Sequence, residues 1–184
     1  TILGITCAWE SGVATALLHL RRALERGLRL VQIRESQLDP AARKAFAAQV
    51  MREVRAVDGI VVVNSDVQLA TMLGVGLHLP SRELLTARSR PEVDWCGASC
   101  HDAFELERAR ELGLDFVLLG PVQATPSHPG VPEMGWNKFE ELIRDYPLPV
   151  FALGGMRIAY LDQARHRGAH GIAMVRGAWA HDGA

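Results

Sequence analysis

Four glycines set the rhythm of this chain. Gly27, Gly74, Gly113 and Gly168 each close a stretch with apolar residues at helical spacing, and each is followed by a short apolar run. A glycine in that place acts as a left-handed helix cap. Four to eight apolar residues between turn signals read as a strand buried on both faces. Strands are expected at residues 2–6, 28–33, 60–63, 75–77, 94–98, 116–119, 150–153 and 172–175. Helical spacing covers 13–26, 39–54, 67–73, a short segment after Ser81, 101–112, 138–145 and 158–167. About a dozen residues of helix between apolar strands require right-handed parallel crossovers. Eight such units predict an α/β fold, a (β/α)8 TIM barrel forming one compact domain over residues 1–184, shorter than the usual ~250. The competing open, doubly wound sheet needs a glycine fingerprint after its first strand. Cys7-Ala8-Trp9-Glu10 does not supply one.

Charge and cysteine content narrow the function classes. A formal net charge of −1 provides no global field to draw nucleic acid or an acidic membrane surface. Any anion site is therefore local. Three cysteines, Cys7, Cys96 and Cys100, without a CxxC pair argue against a disulfide framework or a zinc cluster and favour a reducing cytoplasm. No apolar run approaches the roughly 18 residues that span a bilayer, so no membrane association is expected. The chain opens directly in the strand-like TILGIT without an initiator Met, which leads us to expect a further domain upstream of Thr1.

In a barrel of this kind every strand's carboxyl end faces one mouth, where ligands bind. The most informative stretch runs through residues 114–135, where an apolar strand is cut off by Gly120-Pro121 and a loop carries Thr125, Ser127 and His128. Two hydroxyls, an imidazole and free main-chain N–H groups suit an oxygen-rich anion such as phosphate. A connector stiffened by prolines is the plain alternative. Other candidates at strand ends are Arg34 and Glu35, Asn64 and Asp66, His78, Ser99 and His101, Gly154-Gly155 and Arg176-Gly177. After the seventh strand, glycines let bare N–H groups approach a ligand, and a short helix after the eighth would lend its positive end. That is the recurrent phosphate site of these barrels.

The motifs VQIRES, VVVNSD, GVGLHL, GASCH, DFVLLGPVQATPSH, PVFALGGM and GIAMVRG stand in the order of the thiamine-phosphate synthase/TenI family, which the chain resembles over residues 3–179. The resemblance implies a (β/α)8 barrel. It also implies a transferase that joins hydroxymethylpyrimidine diphosphate to a thiazole phosphate with Mg²⁺ assisting diphosphate departure. By motif, Arg34, Asn64, Ser99 and Thr125 fall where the synthases hold the diphosphate, and Gly154, Gly155 and the backbone of 175–177 where they hold the thiazole phosphate. His128 or His101 could act as acid or base in an altered reaction.

The departures from that pattern are equally specific. The family's second-strand lysine is Ser36, and the carboxylate following its asparagine is Ser65. Pro80-Ser81-Arg82-Glu83 replaces a Gly-Gln-x-Asp run and leaves Glu83 as the expected metal ligand. A loop lysine is His128, and a serine after the eighth strand is Arg176. Pro121 stands where TenI-type tautomerases carry a histidine. Losing one preorganised electrostatic group commonly costs about 10²–10³ in rate, so these losses together speak against an efficient synthase and lead to an expectation of weak Mg²⁺ binding. Three readings follow: a diverged transferase of thiamine biosynthesis, a phosphate-ligand binding or regulatory module, or a scaffold with an intact barrel and an unused mouth. TenI-like domains of this kind occur C-terminal to Nudix hydrolases, so a Nudix domain in the same chain is the expected macromolecular partner, and a phosphorylated small molecule the expected ligand.

Overall fold

The computed structural model describes residues 1–125, 130 and 132–179. Eight parallel strands close into a barrel in chain order. They are β1 (Ile2–Ile5), β2 (Leu30–Ile33), β3 (Ile60–Asn64), β4 (Gly76–Leu79), β5 (Cys96–Cys100), β6 (Phe116–Leu119), β7 (Val150–Ala152) and β8 (Gly171–Met174). Closure comes from β1 lying beside β8, with Leu3 opposite Ala173 and Gly4 opposite Met174. The surrounding helices are α1 (Ala8–Ser11), α2 (Val13–Glu25), α3 (Pro40–Arg55), α4 (Val67–Leu73), α5 (Ser81–Thr86), α6 (Ala103–Glu111), α7 (Gly135–Ile143) and α8 (Leu161–His166), the last preceded by a 3₁₀ turn over Ile158–Tyr160.

The local signals act as their chemistry requires. Gly27, Gly74, Gly113 and Gly168 all have positive φ, the conformation that ends a helix and turns the chain into the next strand. Asp39 accepts the N–H groups of Ala41 and Ala42 ahead of Pro40, and Asp66 and Asp102 cap α4 and α6 in the same way.

Three local expectations need correction. β4 and β5 lie one to two residues later than their apolar runs suggest. In the parallel register Leu77 stands opposite Cys96 and His78 opposite Gly97. The upper interior of the barrel is polar, so His78 and Ser99 are strand residues. Helix α1 carried no periodic signal because it is held from a distance: the buried Glu35 carboxylate accepts the N–H groups of Ala8 (2.8 Å) and Trp9 (3.2 Å). Glu35 therefore turns away from Arg34. After β8 the chain makes a turn, with the Trp179 N–H bonded to the Arg176 carbonyl, and no helix begins at Gly177 among the described residues.

Two apolar regions sandwich the sheet. The larger lies between strands and helices, and the smaller fills the barrel with Leu3, Ile5, Leu30, Val62, Phe116, Leu118, Phe151 and Ala173. Eight strands leave an interior only wide enough for side chains. Phe116 and Phe151 meet edge to face at 6.0 Å, and glycine on the neighbouring strand makes room for them. A Cβ on Gly97 would sit 2.3 Å from the Phe116 ring. Above this layer, His78 is buried, its ring 6.4 Å from that of Phe116 and its Nδ1 3.0 Å from Asn64 Oδ1. Burial, reinforced by the Arg34 guanidinium, pushes the His78 pKa down to about 3.

Two outcomes test this interior. Gly97→Ala is expected to destabilise by about 2 kcal/mol through overpacking. The double variant with Phe116→Leu should lose less than the sum of the two single losses, measured by urea denaturation; strict additivity would disprove the contact. For His78, the unfolded chain binds a proton near pH 6.5 that the folded chain refuses until about pH 3. Its contribution is thus intact above pH ~6.5 and drains away as the pH falls through that window. The urea midpoint of the wild type should drop more steeply from pH 7 to pH 4 than that of His78→Gln, and parallel curves would refute a buried neutral histidine.

Candidate active site at the barrel mouth

The carboxyl ends of the strands surround a cavity of about 500 Å³. Arg34 just past β2, Asn64 at the end of β3, Ser99 in β5 and Thr125 in the loop after β6 line it, together with Gly154 and Gly155 after β7 and Arg176 and Gly177 after β8. The sequence placed these eight residues together, and the fold brings them to one cavity. Glu83 is elsewhere: it lies on α5, is hydrogen-bonded to the Ser65 hydroxyl, and does not line the mouth. His128 lies outside the described residues.

The lining residues are held by polar contacts of their own. Asn64 Oδ1 can only accept, so His78 donates to it from Nδ1, leaving the amide nitrogen as Asn64's donor. The other ring nitrogen of His78 is 3.4 Å from the Ser99 hydroxyl. A buried neutral imidazole thus fixes two of the expected ligand-binding side chains. After β7, Gly154 and Gly155 have φ of 93° and 65°. The Val122 N–H bonds to the Leu153 carbonyl and the Gln123 N–H to the Gly154 carbonyl. A Cβ on Gly154 would meet Pro121 at 2.6 Å, and one on Gly155 would meet Gln123 at 2.6 Å. The glycines are therefore demanded by close packing on the β6–α7 loop, and a larger residue at 155 would strike that loop instead of simply plugging the mouth. Their own N–H groups have no partner among the described residues.

Arg176 is engaged by Glu10 of α1, which takes its guanidinium in a two-pronged ion pair. It stands between the mouth and a neighbouring cavity of about 210 Å³ that Cys7, His19, Phe46 and Trp179 help to line. Cys100, next to Ser99 on β5, packs into the outer core between strands and helices, and burial pushes its thiol well above the usual range, which holds it protonated and poorly nucleophilic.

Gln32, which the sequence offers beside Arg34 as an alternate residue of the second strand, is buried, lines the mouth, and its Nε2 has no hydrogen-bond partner among the described residues. Two further residues emerge from the structure. Arg157 follows Gly154-Gly155 on the same rim. Glu105, buried, accepts from the Ser81 hydroxyl and from the His101 main-chain N–H, and bonds His101 Nδ1 at 2.8 Å. His101 and Glu105 lie one helical turn apart, a spacing that could have marked the pair.

The family description of thiamine monophosphate synthase matches residues 2–178. A thiamine-phosphate synthase of Thermosynechococcus vestitus is 32% identical over 84% of this chain, which spans 45% of that protein's length. A putative thiamine-phosphate synthase of Geobacter sulfurreducens is 32% identical over 93% of the chain and 83% of its own. In three dimensions the barrel resembles a thiamine phosphate pyrophosphorylase from Pyrococcus furiosus, with a TM-score of 0.82 and 21% identity, covering 99% of this chain and 89% of that one. That likeness concerns the fold. A full-length sequence match and a closed parallel barrel agree: the chain belongs to the thiamine monophosphate synthase family.

Proposed function

We propose that the mouth binds phosphorylated ligands of the thiazole and pyrimidine type and that the chain is a diverged transferase domain of thiamine biosynthesis. The observation that supports this most directly is the single cavity that gathers Arg34, Asn64, Ser99 and Thr125 with Gly154 and Gly155. The Arg34 guanidinium and the Asn64 amide nitrogen offer donors to one anionic group. Gly154 and Gly155 offer bare main-chain N–H groups to another. Gln32 adds a buried amide donor with no partner among the described residues, and a heteroaromatic ring nitrogen would meet it. A second reading, binding without efficient turnover, draws on the absence of any Asp or Glu among the described residues lining the mouth. A Nudix partner in the same chain stays part of the proposal. The Symbiobacterium thermophilum relative, a bifunctional ThiM/ThiE protein of which this chain spans 34%, is an example of a related sequence within a longer chain.

Formation of thiamine phosphate from hydroxymethylpyrimidine diphosphate and thiazole phosphate, followed as diphosphate release, separates the two readings. Slow but saturable release that Arg34→Ala lowers by about 10²-fold or more is the expected outcome. Tight binding of thiazole phosphate with no release would favour the second reading. Gln32→Leu is expected to stabilise the fold by about 1 kcal/mol, because it removes an unsatisfied buried donor, while weakening the pyrimidine ligand. A variant equally tight for that ligand would remove Gln32 from the site.

A further inference from the structure

A divalent cation of the Mg²⁺ kind needs carboxylate oxygens and an octahedral shell. The residues present do not fit one. Among the described residues no Asp or Glu lines the mouth, and no group of three His, Cys, Asp or Glu side chains is arranged to hold a metal. The carboxylates around the rim are already bound. Glu83 holds the Ser65 hydroxyl, Asp66 caps α4 and pairs with Arg43, Glu105 holds Ser81 and His101, and Glu10 holds Arg176.

The positive groups show the opposite pattern. Arg34 and Arg157 stand on different parts of the rim, and neither guanidinium has a hydrogen-bond or ion-pair partner among the described residues. Gln32 Nε2, almost wholly buried and unpartnered, opens on the same cavity. Two uncompensated guanidiniums facing a space without carboxylates call for an anion. A cation brought in with that anion would meet no carboxylate and would sit against like charge.

We infer that the mouth recognises its phosphorylated ligand without a divalent cation, Arg34 and Arg157 supplying the counter-charge that a carboxylate-bound metal would otherwise bring. The inference rests on the reading of the mouth as a phosphate site and deepens it. A guanidinium forms paired, charge-assisted bonds to phosphate oxygens and keeps its charge at any working pH. Free Mg²⁺ then acts as a competitor, because it binds the ligand's oxygens in solution and covers the atoms that the arginines use.

Calorimetric titration of inorganic pyrophosphate into the protein, once with EDTA and once with excess Mg²⁺, tests this. Binding is expected in EDTA, with an affinity that Mg²⁺ leaves unchanged or lowers. Arg34→Ala should weaken pyrophosphate by about ten-fold or more, the loss of one charged hydrogen-bonding group, and Arg34→Lys should recover part of it. Arg157→Ala should weaken it by a smaller factor. Melts without ligand control for folding, since both arginines are exposed. Binding that requires Mg²⁺, or tightens ten-fold with it, would overturn the inference and leave the phosphate site standing. Unaltered affinity in both alanine variants would also overturn it. Absence of binding under both conditions would overturn the inference and the phosphate reading together.

Discussion

Closure of the barrel is the constraint on which the rest depends. Left open, the sheet of eight short strands would present two edges of unpaired backbone groups. Setting β1 against β8 removes the edges and fixes the interior volume at once. That volume has two effects. It forces glycine at Gly97 wherever Phe116 projects, and it stacks the inward residues in layers, apolar below and polar above. The polar upper layer, with Gln32, Asn64, His78 and Ser99, is the floor of the mouth. Core packing and ligand binding are thus consecutive layers of one structure.

How much of this the sequence revealed follows from the range of each interaction. The strand–helix alternation was legible because its punctuation is local: glycines with positive φ follow α2, α4, α6 and α8, and aspartates at 39, 66 and 102 begin α3, α4 and α6. The gathering of Arg34, Asn64, Ser99, Thr125 and the glycine pair at one mouth followed from the fold class, since parallel strands have all their carboxyl ends on one side. Register was less legible. Apolar runs mark where a strand is buried in fat, not where its hydrogen-bonded ladder ends, so β4 and β5 extend into the polar layer and carry His78 and Ser99 with them.

Contacts across the chain were the least legible. Glu35 stands beside Arg34 in sequence, and charge alone suggests a pair. In the fold it reaches back to two N–H groups of α1 some 26 and 27 residues away. Arg176 pairs with Glu10 across 166 residues. No window of sequence contains both members of either pair. The glycine pair shows the same limit in another form. Its freedom of φ could be read, but not that both missing Cβ atoms face the β6–α7 loop.

These long-range contacts have a common consequence for the chemistry of the mouth. Carboxylates are plentiful around the rim, yet each has a structural use. Glu35 anchors α1, Glu10 holds Arg176, Glu105 organises Ser81 and His101, and Glu83 holds the Ser65 hydroxyl. Where the partner is buried, as at the Ala8 N–H held by Glu35, turning the carboxylate to a metal would leave an unpaired group at a cost of about 1–3 kcal/mol. The positive character of the cavity is therefore not merely a local excess of arginine over acid. It is maintained by the same hydrogen bonds that hold the β1 and β5 loops in place. A carboxylate at the mouth would have to come from a new acidic side chain aimed inward, because no described Asp or Glu lines it.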